Sequence, residues 1–511
     1  MAHRHDEIAS LLRDLDLGSS VAESDNLLKT ARVETSAFTD LLNDRVDLVP
    51  GTKGSGKSAL FRMFVDFLPD YLLRQRKVVV AHGVDAPGDN VFHAFKEEFS
   101  RLSETEFVSF WSVYLVSLAH EQFVKGPRYH AQLRRAGNEI ASFRRACERA
   151  RIPEITARKS LKGVLEWVLY VLASWRPKAT FRLPNGSGEV EVDLFGGAEE
   201  AEREPRASGL GETLPKYVNE ISETLEAVLK KADLSLWLMV DRLDEIFPRR
   251  SGTERNALRG LLRAMRYFAS GRIRVKVFLR DDMLDQVVRA GNGFTALTHI
   301  TARRADTLRW TDDHILEMIV KRFFASEPLS EYLDVDPQKI EASAEYRAQC
   351  FYRVFPQTVA KGSNQSSTLR WICSRCADGR NVVTPRDVLV LLTGAKQRQQ
   401  DTCVGEPDAL SEVIIDSPAI RYGFEELSKQ KRQTYLEAEF PHLWIHIAKF
   451  VGGKAEYSDT TLRSLLGKKW ESAVEDLVAI GFLSKTVRYQ QNVYSIPRVY
   501  RHGLEVTQGK A

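Results

Sequence analysis

One run of eight residues has the composition and spacing of a phosphate-binding loop. Gly51-Thr52-Lys53-Gly54-Ser55-Gly56-Lys57-Ser58 matches the template G-x-x-x-x-G-K-[ST] at every fixed position. Glycines have no Cβ, so the backbone can curl and point successive N–H groups at phosphate oxygens. In such a loop Lys57 reaches the terminal phosphates, Ser58 ligates Mg²⁺, and Ala59 enters the following helix. We therefore expect a nucleoside triphosphate and Mg²⁺ to bind here.

Acidic residues follow an apolar run further along the chain. Residues 234–241 are almost entirely apolar and end in Asp241, and Asp244 and Glu245 come shortly after. In parallel α/β sheets, ligands bind beyond the carboxyl ends of the strands. We expect Asp241 to hold the Mg²⁺ water shell and either Asp244 or Glu245 to polarise the attacking water. The alternative is an ordinary charged start of a helix, where Asp and Glu are favoured without any chemistry.

Four arginines are candidates for contacts with phosphate. Arg280 ends a predicted strand and is our candidate γ-phosphate sensor, although an exposed charge at a strand end would look the same. Arg386 follows a Thr-Pro helix start, from which its side chain can read the γ-phosphate or simply be solvated. Arg303 and Arg304 precede another predicted strand, and either could reach the phosphates of a neighbouring subunit.

These residues require a parallel sheet with helices between its strands. Short β-branched or alternating runs predict five strands, at residues 46–50, 76–81, 234–241, 274–280 and 305–310. The helix after the loop is predicted to end before Pro69. Residues 91–232 form an insertion, which includes a helix over 161–172, a hairpin within 178–195 and a linker at 196–211.

The rest of the chain predicts three further parts around the core at 41–311. Residues 1–40 form an N-terminal helical segment with helices at 7–15 and 22–28, and residues 312–400 form a helical lid. After a linker at 400–416, residues 417–511 show three helices and then a hairpin, which is the order of a winged-helix module. The basic residues that could contact DNA lie on or near its wing: Lys485, Arg488, Arg498 and Arg501. The third helix is acidic, which favours a protein partner at least as strongly.

Overall composition is that of a globular protein. The 511 residues are 43% hydrophobic and 28% charged, with a formal net charge of +4, which neither demands nor excludes a nucleic-acid partner. A signal-peptide pattern and an apolar run of membrane-spanning length are both missing, so we expect a cytoplasmic protein without membrane contact. The five cysteines are scattered, and Cys373 and Cys376 are expected to be ordinary buried thiols rather than zinc ligands.

Taken together, these motifs resemble a family of bacterial P-loop ATPases related to the AAA+ and STAND proteins. The resemblance rests on residues 53–60, 240–245, 384–387 and 496–500, together with the strand that ends in Arg280. It implies an α/β P-loop NTPase fold with an extra strand between the loop strand and the acidic strand. It also implies ATP and Mg²⁺ as cofactors, ATP hydrolysis and a homo-oligomer. Some members of the family neighbour phage-defence genes, which suggests antiviral defence.

Three functions fit these expectations. The first is an ATP-hydrolysing switch or motor that drives a partner encoded separately. The second is a DNA-binding regulator or loader that uses ATP to set its shape. The third is a scaffold for an effector protein that binds nucleotide without turnover. A second catalytic signature, such as H-E-x-x-H or G-x-S-x-G, is missing from the sequence, so effector chemistry is expected on another chain.

Overall fold

The structure is a computed structural model that describes most of the chain. The described residues are 2–83, 99–100, 102–125, 130–150, 152, 180–182, 189–191, 210–245, 251–268, 271–289, 302–405 and 413–511. The helix predicted at 161–172 lies outside them, as does nearly all of the linker predicted at 196–211.

The central sheet has four parallel strands, β1 (Leu48–Gly51), β2 (Val78–Gly83), β5 (Ser235–Val240) and β6 (Ile273–Arg280). Their order across the sheet is β1-β6-β5-β2. The predicted extra strand is therefore present, because β6 lies between the loop strand and the acidic strand. The fifth predicted strand is reduced to two parallel bridges on the free side of β1, Leu48 to Arg304 and Gly51 to Leu308.

Both faces of this sheet are buried, which explains its nearly continuous apolar strands. In β5 alternate residues enter two different cores: Leu236 and Leu238 face one, while Trp237 and Met239 face the other. The first core is covered by helices of the predicted insertion, and the second by the helix that follows the loop. A parallel sheet covered on both sides is the usual α/β arrangement. The sequence prediction of an α/β fold is confirmed.

The helices of the core and insertion surround this sheet. They are α1 (Ala2–Asp14), α2 (Ser36–Leu42), α3 (Lys57–Arg62), α4 (Pro69–Tyr71), α5 (Glu104–His120), α6 (His130–Leu133), α7 (Gly137–Arg149), α8 (Leu210–Ala232), α9 (Gly252–Ala264) and α10 (Asp281–Arg289). Two π-helical turns, Met63–Phe67 and Leu72–Arg76, continue α3 and α4. The predicted hairpin is present as the antiparallel pair β3 (Thr180–Arg182) and β4 (Glu189–Glu191).

Helices also dominate the chain after the sheet. They are α11 (Asp312–Phe323), α12 (Glu327–Tyr332), α13 (Pro337–Ala342), α14 (Ala344–Val354), α15 (Thr368–Cys376), α16 (Pro385–Gly405), α17 (Ser417–Lys431), α18 (Pro441–Ile447), α19 (Asp459–Leu466), α20 (Trp470–Ala479) and α21 (Arg498–Arg501). The linker predicted at 400–416 is partly wrong, because α16 remains helical to Gly405.

The C-terminal residues form a winged-helix arrangement. Helices α18, α19 and α20 precede the wing, which consists of β8 (Ser484–Arg488) and β9 (Gln491–Ser495). Two further strands were not predicted: β7 (Lys454–Ser458) and β10 (Thr507–Lys510) complete a sheet in the order β10-β7-β9-β8. Their sequences are short and polar, so pairing with β9 and β7 stabilises them more than their own apolar content does.

One apolar core extends through the N-terminal helix, the lid and the C-terminal module. Ile8 and Leu12 of α1 pack in the same cluster as Leu391 of α16, Leu427 of α17 and Tyr500 of α21. These segments were predicted as three separate domains. The domain boundaries stay a prediction, and the three segments share one apolar core.

Candidate functional site

The loop after β1 has the backbone shape expected for phosphate binding. Gly54 and Gly56 adopt positive φ angles of 81° and 94°, which residues with a Cβ rarely adopt. Helix α3 starts directly behind the loop at Lys57. Two hydroxyls, Thr52 Oγ1 and Ser55 Oγ, are buried without a hydrogen-bond partner in the part of the chain that the structure describes. Buried polar groups are normally paired, so a ligand with oxygen atoms fits this loop.

The ammonium of Lys57 lies inside the loop. Its Nζ donates to the carbonyl oxygens of Gly51 and Thr52, at 2.9 Å each. Burial lowers the pKa of Lys57, while the negative charges of Asp244 and Asp241 act in the opposite direction. Because the Lys57 ammonium already lies inside the loop, it can bind a phosphate there by rotation of its side chain alone.

Asp241 at the end of β5 contacts the loop helix directly. Its side chain is buried. Burial raises the pKa of Asp241 to about 6, although the nearby Ser58 hydroxyl and the backbone N–H of Arg242 favour the carboxylate. The two predicted metal ligands are thus neighbours. A hydroxyl and a carboxylate beside phosphate oxygens fit Mg²⁺, which prefers oxygen ligands and keeps several waters.

The chain reverses sharply after Asp241. Arg242 has a φ of 58°, an uncommon value for a residue with a side chain. Asp244 and Glu245 follow in a short 3₁₀ turn, Leu243–Glu245. Asp244 lies 3.4 Å from Arg280, whereas Glu245 lines the cavity beside the loop. Burial raises the pKa of Glu245, which suits a group that must accept a proton. Asp244 favours the charged form of Lys57, and Glu245 lines the same cavity as Lys57, so the two candidates for polarising the water have different surroundings.

Arg280 is buried at the end of β6 and forms ion pairs with three carboxylates. It binds Asp282 through Nε and Nη2 at 2.9 Å each, and its Nη1 donates to Glu439 at 2.9 Å. Burial disfavours its charge, but Asp282 and Asp244 raise the pKa of Arg280 above the usual arginine range. The predicted sensor thus contacts Asp244, one of the two candidates for polarising the water.

Glu439 comes from the other end of the chain and has a second partner in the phosphate loop. Its Oε1 accepts a hydrogen bond from the Lys53 ammonium, and only 5% of its side chain is exposed. Burial opposes the charge of Glu439, yet the hydrogen bonds from Lys53 and Arg280 lower its pKa to about 2. Burial in turn lowers the pKa of Lys53, against the effect of Glu439.

A cavity of about 400 Å³ opens beside the loop and is large enough for a nucleoside. The loop and α3 form one wall. Arg386 and Pro385 at the start of α16 form another, and the Cβ of Arg386 would lie 3.1 Å from a Cβ at Gly54. Trp310 closes a third side, and its indole N–H donates to the Ser55 carbonyl at 2.8 Å. The structure thus brings Arg386 to the loop, as the sequence predicts.

Residues 19–38 cover this cavity, which the sequence did not indicate. The helix predicted at 22–28 is wrong: this stretch contains a 3₁₀ turn, Ala22–Ser24, followed by further turns. Long-range ion pairs hold it in place, because Glu23 binds Arg242 and Asp25 binds Arg322. Its apolar side chains lining the cavity are Val21, Ala22, Leu28, Ala31, Val33 and Phe38.

Strand order and loop geometry together decide the fold. β1 leads into a glycine loop and a helix, β6 lies next to it, and the acid-bearing β5 comes third. The chain has the P-loop NTPase fold. It matches no protein-family model and no curated protein.

Solved structures resemble the chain only distantly. An Orc1 protein of Aeropyrum pernix in complex with DNA has a TM-score of 0.35 and 12% identity, over 95% of this chain and 96% of that one. A Walker-type ATPase of Pyrococcus abyssi has a TM-score of 0.37 and 12% identity, over 97% of this chain and all of that one. These likenesses are too weak to carry an argument about function, and the fold rests on the P-loop and the sheet.

The two candidate trans-acting arginines differ in their surroundings. Arg303 binds Asp47 at 2.6 Å and also contacts Asp44, in a cluster that includes the fully buried Lys276. This network ties β1 and β6 to the chain before β1, and Arg303 is one of its members. Arg304 takes part in the backbone bridge to Leu48 and is half-buried. Their assignment to a neighbouring subunit stays a prediction.

Three of the four residues predicted to contact DNA interact with other residues of the C-terminal module. Arg488 pairs with Glu456 at 3.3 Å, and Arg501 donates to the Ile496 carbonyl and to Gln508. Lys485 lies over the ring of Tyr494. Arg498 is exposed. The third helix exposes its acidic residues, Glu471, Glu475 and Asp476. This arrangement favours a protein surface over a DNA groove.

The cysteines match the prediction of ordinary buried thiols. All five are free and buried, and burial raises the pKa of both Cys373 and Cys376 well above the usual thiol range. Among the described residues, clusters of three or more His, Cys, Asp or Glu side chains able to hold a metal are absent. Within the same residues, every helix is too short or too polar to cross a membrane.

Proposed function

We propose that this chain binds ATP with Mg²⁺, hydrolyses it, and uses the resulting change in its lid and C-terminal module to act on a protein partner. The observation that carries the proposal is the buried Asp241 at the end of β5, whose charged form both Ser58 and Lys57 favour, beside a glycine loop with two buried hydroxyls that lack a partner among the described residues. A metal-binding pair next to a phosphate-binding lysine has a clear use in phosphoryl transfer. A purely structural loop would not need it.

Each residue has a role that follows from its position. Backbone N–H groups of the P-loop and Lys57 hold the phosphates, and Ser58 and Asp241 hold Mg²⁺, which neutralises phosphate charge when bound. Glu245, in the cavity with a raised pKa, is our first candidate for polarising water, and Asp244 is the second. Arg280 and Arg386 approach the phosphates from β6 and from the lid.

Shape supports a nucleoside in the cavity. Its lining combines the apolar residues of the 19–38 segment with Met63, Leu308 and Trp310, which suits a planar base. Lid residues of α16 and core residues of α3 face each other across it. Bound nucleotide would therefore contact both parts at once, and its hydrolysis would change how they pack. This is the basis for assigning a switch rather than a simple hydrolase.

Phosphate release and calorimetry test the proposal. Wild-type protein is expected to bind ATP in the presence of Mg²⁺ and to release phosphate. Lys57→Ala is expected to lose binding, whereas Glu245→Gln is expected to retain binding and to lose at least ~100-fold in turnover, as general-base removal does. Asp244→Asn, measured in parallel, decides which acid acts on the water.

A matched control is available in Lys429→Ala. Lys429 is an exposed lysine of α17 paired with Glu426 and does not line the cavity, so its loss removes the same charge outside the site. This variant is expected to behave as wild type. Wild-type protein that binds no triphosphate with Mg²⁺ would refute the whole proposal. Tight binding without phosphate release in every condition would leave the nucleotide-gated scaffold as the function.

A further inference from the structure

Glu439 belongs to the C-terminal part of the chain but lies in the nucleotide-binding core. It is located between a π-helical turn, Arg432–Glu437, and α18, which begins at Pro441. The adjacent Phe440 is buried and packs against Tyr435, with ring centroids 5.1 Å apart. The backbone at Glu439 is therefore anchored to the C-terminal core, and movement of that core displaces the carboxylate.

The partners of this carboxylate are two cations of the core. Lys53 is in the P-loop, and Arg280 ends the strand next to it. Arg280 keeps Asp282 as a bidentate partner and contacts Asp244, so it does not need Glu439 for charge balance. The Glu439–Lys53–Arg280 cluster therefore links the two halves of the chain through two buried ion pairs.

A γ-phosphate has the same chemistry as this carboxylate. Both are oxyanions that bind Lys and Arg through charge-assisted hydrogen bonds, and two anions at one pair of cations repel each other. ADP has no γ-phosphate and therefore competes less with Glu439 for these two cations. From this geometry we infer that Glu439 discriminates ATP from ADP: it stays bound to Lys53 and Arg280 with ADP, and the γ-phosphate displaces it. This inference rests on the proposed binding of ATP.

Release of Glu439 would free the segment that carries it. The π-helical turn and α18 would lose their ion-paired anchor on the core, while Phe440 would remain packed. Because linkage is reciprocal, anything that pulls the C-terminal module from the core would raise the affinity for ATP by the same factor. A partner on the winged-helix surface would thus load the chain with ATP without touching the nucleotide.

The test compares Glu439→Gln with Glu437→Gln. Glu437 lies two residues earlier and pairs with Arg432 at 2.8 Å, away from the nucleotide, so it is matched in charge and segment. Binding of ADP and of a non-hydrolysable ATP analogue, each with Mg²⁺, is measured by calorimetry. Glu439→Gln is expected to raise the ratio of ATP-analogue affinity to ADP affinity about tenfold, within the usual range of allosteric coupling. Glu437→Gln is expected to leave it unchanged.

Hydrogen exchange of residues 432–447 gives a second readout that needs no nucleotide. Exchange is expected to be slow in wild-type protein alone and with ADP, and faster with the ATP analogue. It is expected to be fast in Glu439→Gln under all three conditions. Lys53→Gln removes the other side of the ion pair and is expected to speed exchange as well, which keeps the test valid if Glu439→Gln folds poorly.

The outcomes separate this inference from the proposed function. An affinity ratio within twofold of wild type, or exchange that Glu439→Gln leaves unchanged, would overturn the role of Glu439. Wild-type protein that binds neither nucleotide would instead refute the ATPase proposal and the discrimination with it. In that case faster exchange in Glu439→Gln would show only that the Glu439 ion pairs hold residues 432–447 on the core.

Discussion

Replacement of Asp241 by Asn should make the nucleotide-free protein more stable while it removes the metal site. The carboxyl is buried, and burial raises its pKa from 3.8 to about 6. A buried carboxylate with a raised pKa costs free energy in the folded state whenever it is ionised. Asn has nearly the same shape, carries no charge and keeps a carbonyl oxygen that can accept a hydrogen bond. The variant therefore keeps the packing of the wild-type side chain and avoids the free-energy cost of a buried charge.

The pKa shift gives the sign and the size of this effect. The folded state holds the proton more tightly than the unfolded state, so the free energy of unfolding falls as pH rises from about 4 through 6. A pKa raised from 3.8 to about 6 corresponds to a free-energy cost of ~3 kcal/mol for the ionised carboxyl. The full difference between Asp241→Asn and wild type is expected above about pH 6, and it should disappear toward pH 4.

Scanning calorimetry of nucleotide-free protein between pH 4.5 and pH 7.5 measures this difference. The expected result is a melting temperature raised by several degrees at pH 7.5 and a much smaller rise at pH 4.5. Asp66→Asn is the control, because Asp66 forms an exposed pair with Arg62 and its loss should cost ~0–1 kcal/mol. Asp241→Asn that is no more stable than wild type at pH 7.5, or a gain that grows toward acid pH, would refute the reasoning.

Three further predictions follow from single contacts. Trp310→Phe keeps the ring against the loop but deletes the N–H that binds its carbonyl; at ~1 kcal/mol for a hydrogen bond, calorimetry should show about fivefold weaker ATP binding. Gly54→Ala strains a φ of 81° against Arg386 and should weaken ATP binding about tenfold, whereas Gly452→Ala, at a φ of 69° in open space, should not affect binding. A thiol reagent counted by mass spectrometry should label Cys373 and Cys376 only after denaturation, and labelling of native protein would contradict their burial.

Local patterns were sufficient to predict the sheet and the loop. A phosphate-binding loop is specified by residues within one turn, and buried parallel strands are specified by short apolar runs. The end of β5 then positions Asp241 beside Ser58, because the carboxyl ends of parallel strands meet at one edge. These predictions needed no information on packing between distant segments.

Predictions failed where distant partners decide the structure. Residues 22–28 were predicted to form a polar helix, yet ion pairs to Arg242 and Arg322 hold them as turns over the cavity. Glu439 has no neighbouring motif, since Lys53 and Arg280, which bind it, lie far earlier in the sequence. A single acidic residue among many carries no signal in one sequence, so the contact became visible only in three dimensions.

The apolar core that α1, the lid and the C-terminal module share has a consequence for work on fragments. A polypeptide cut near residue 400 would lose α17, which packs along α16, and would expose apolar residues of α16 such as Leu391 to water; such a surface promotes aggregation. Low activity of such a fragment would report on lost solubility rather than on regulation. Studies of this protein should therefore use point substitutions in the intact chain.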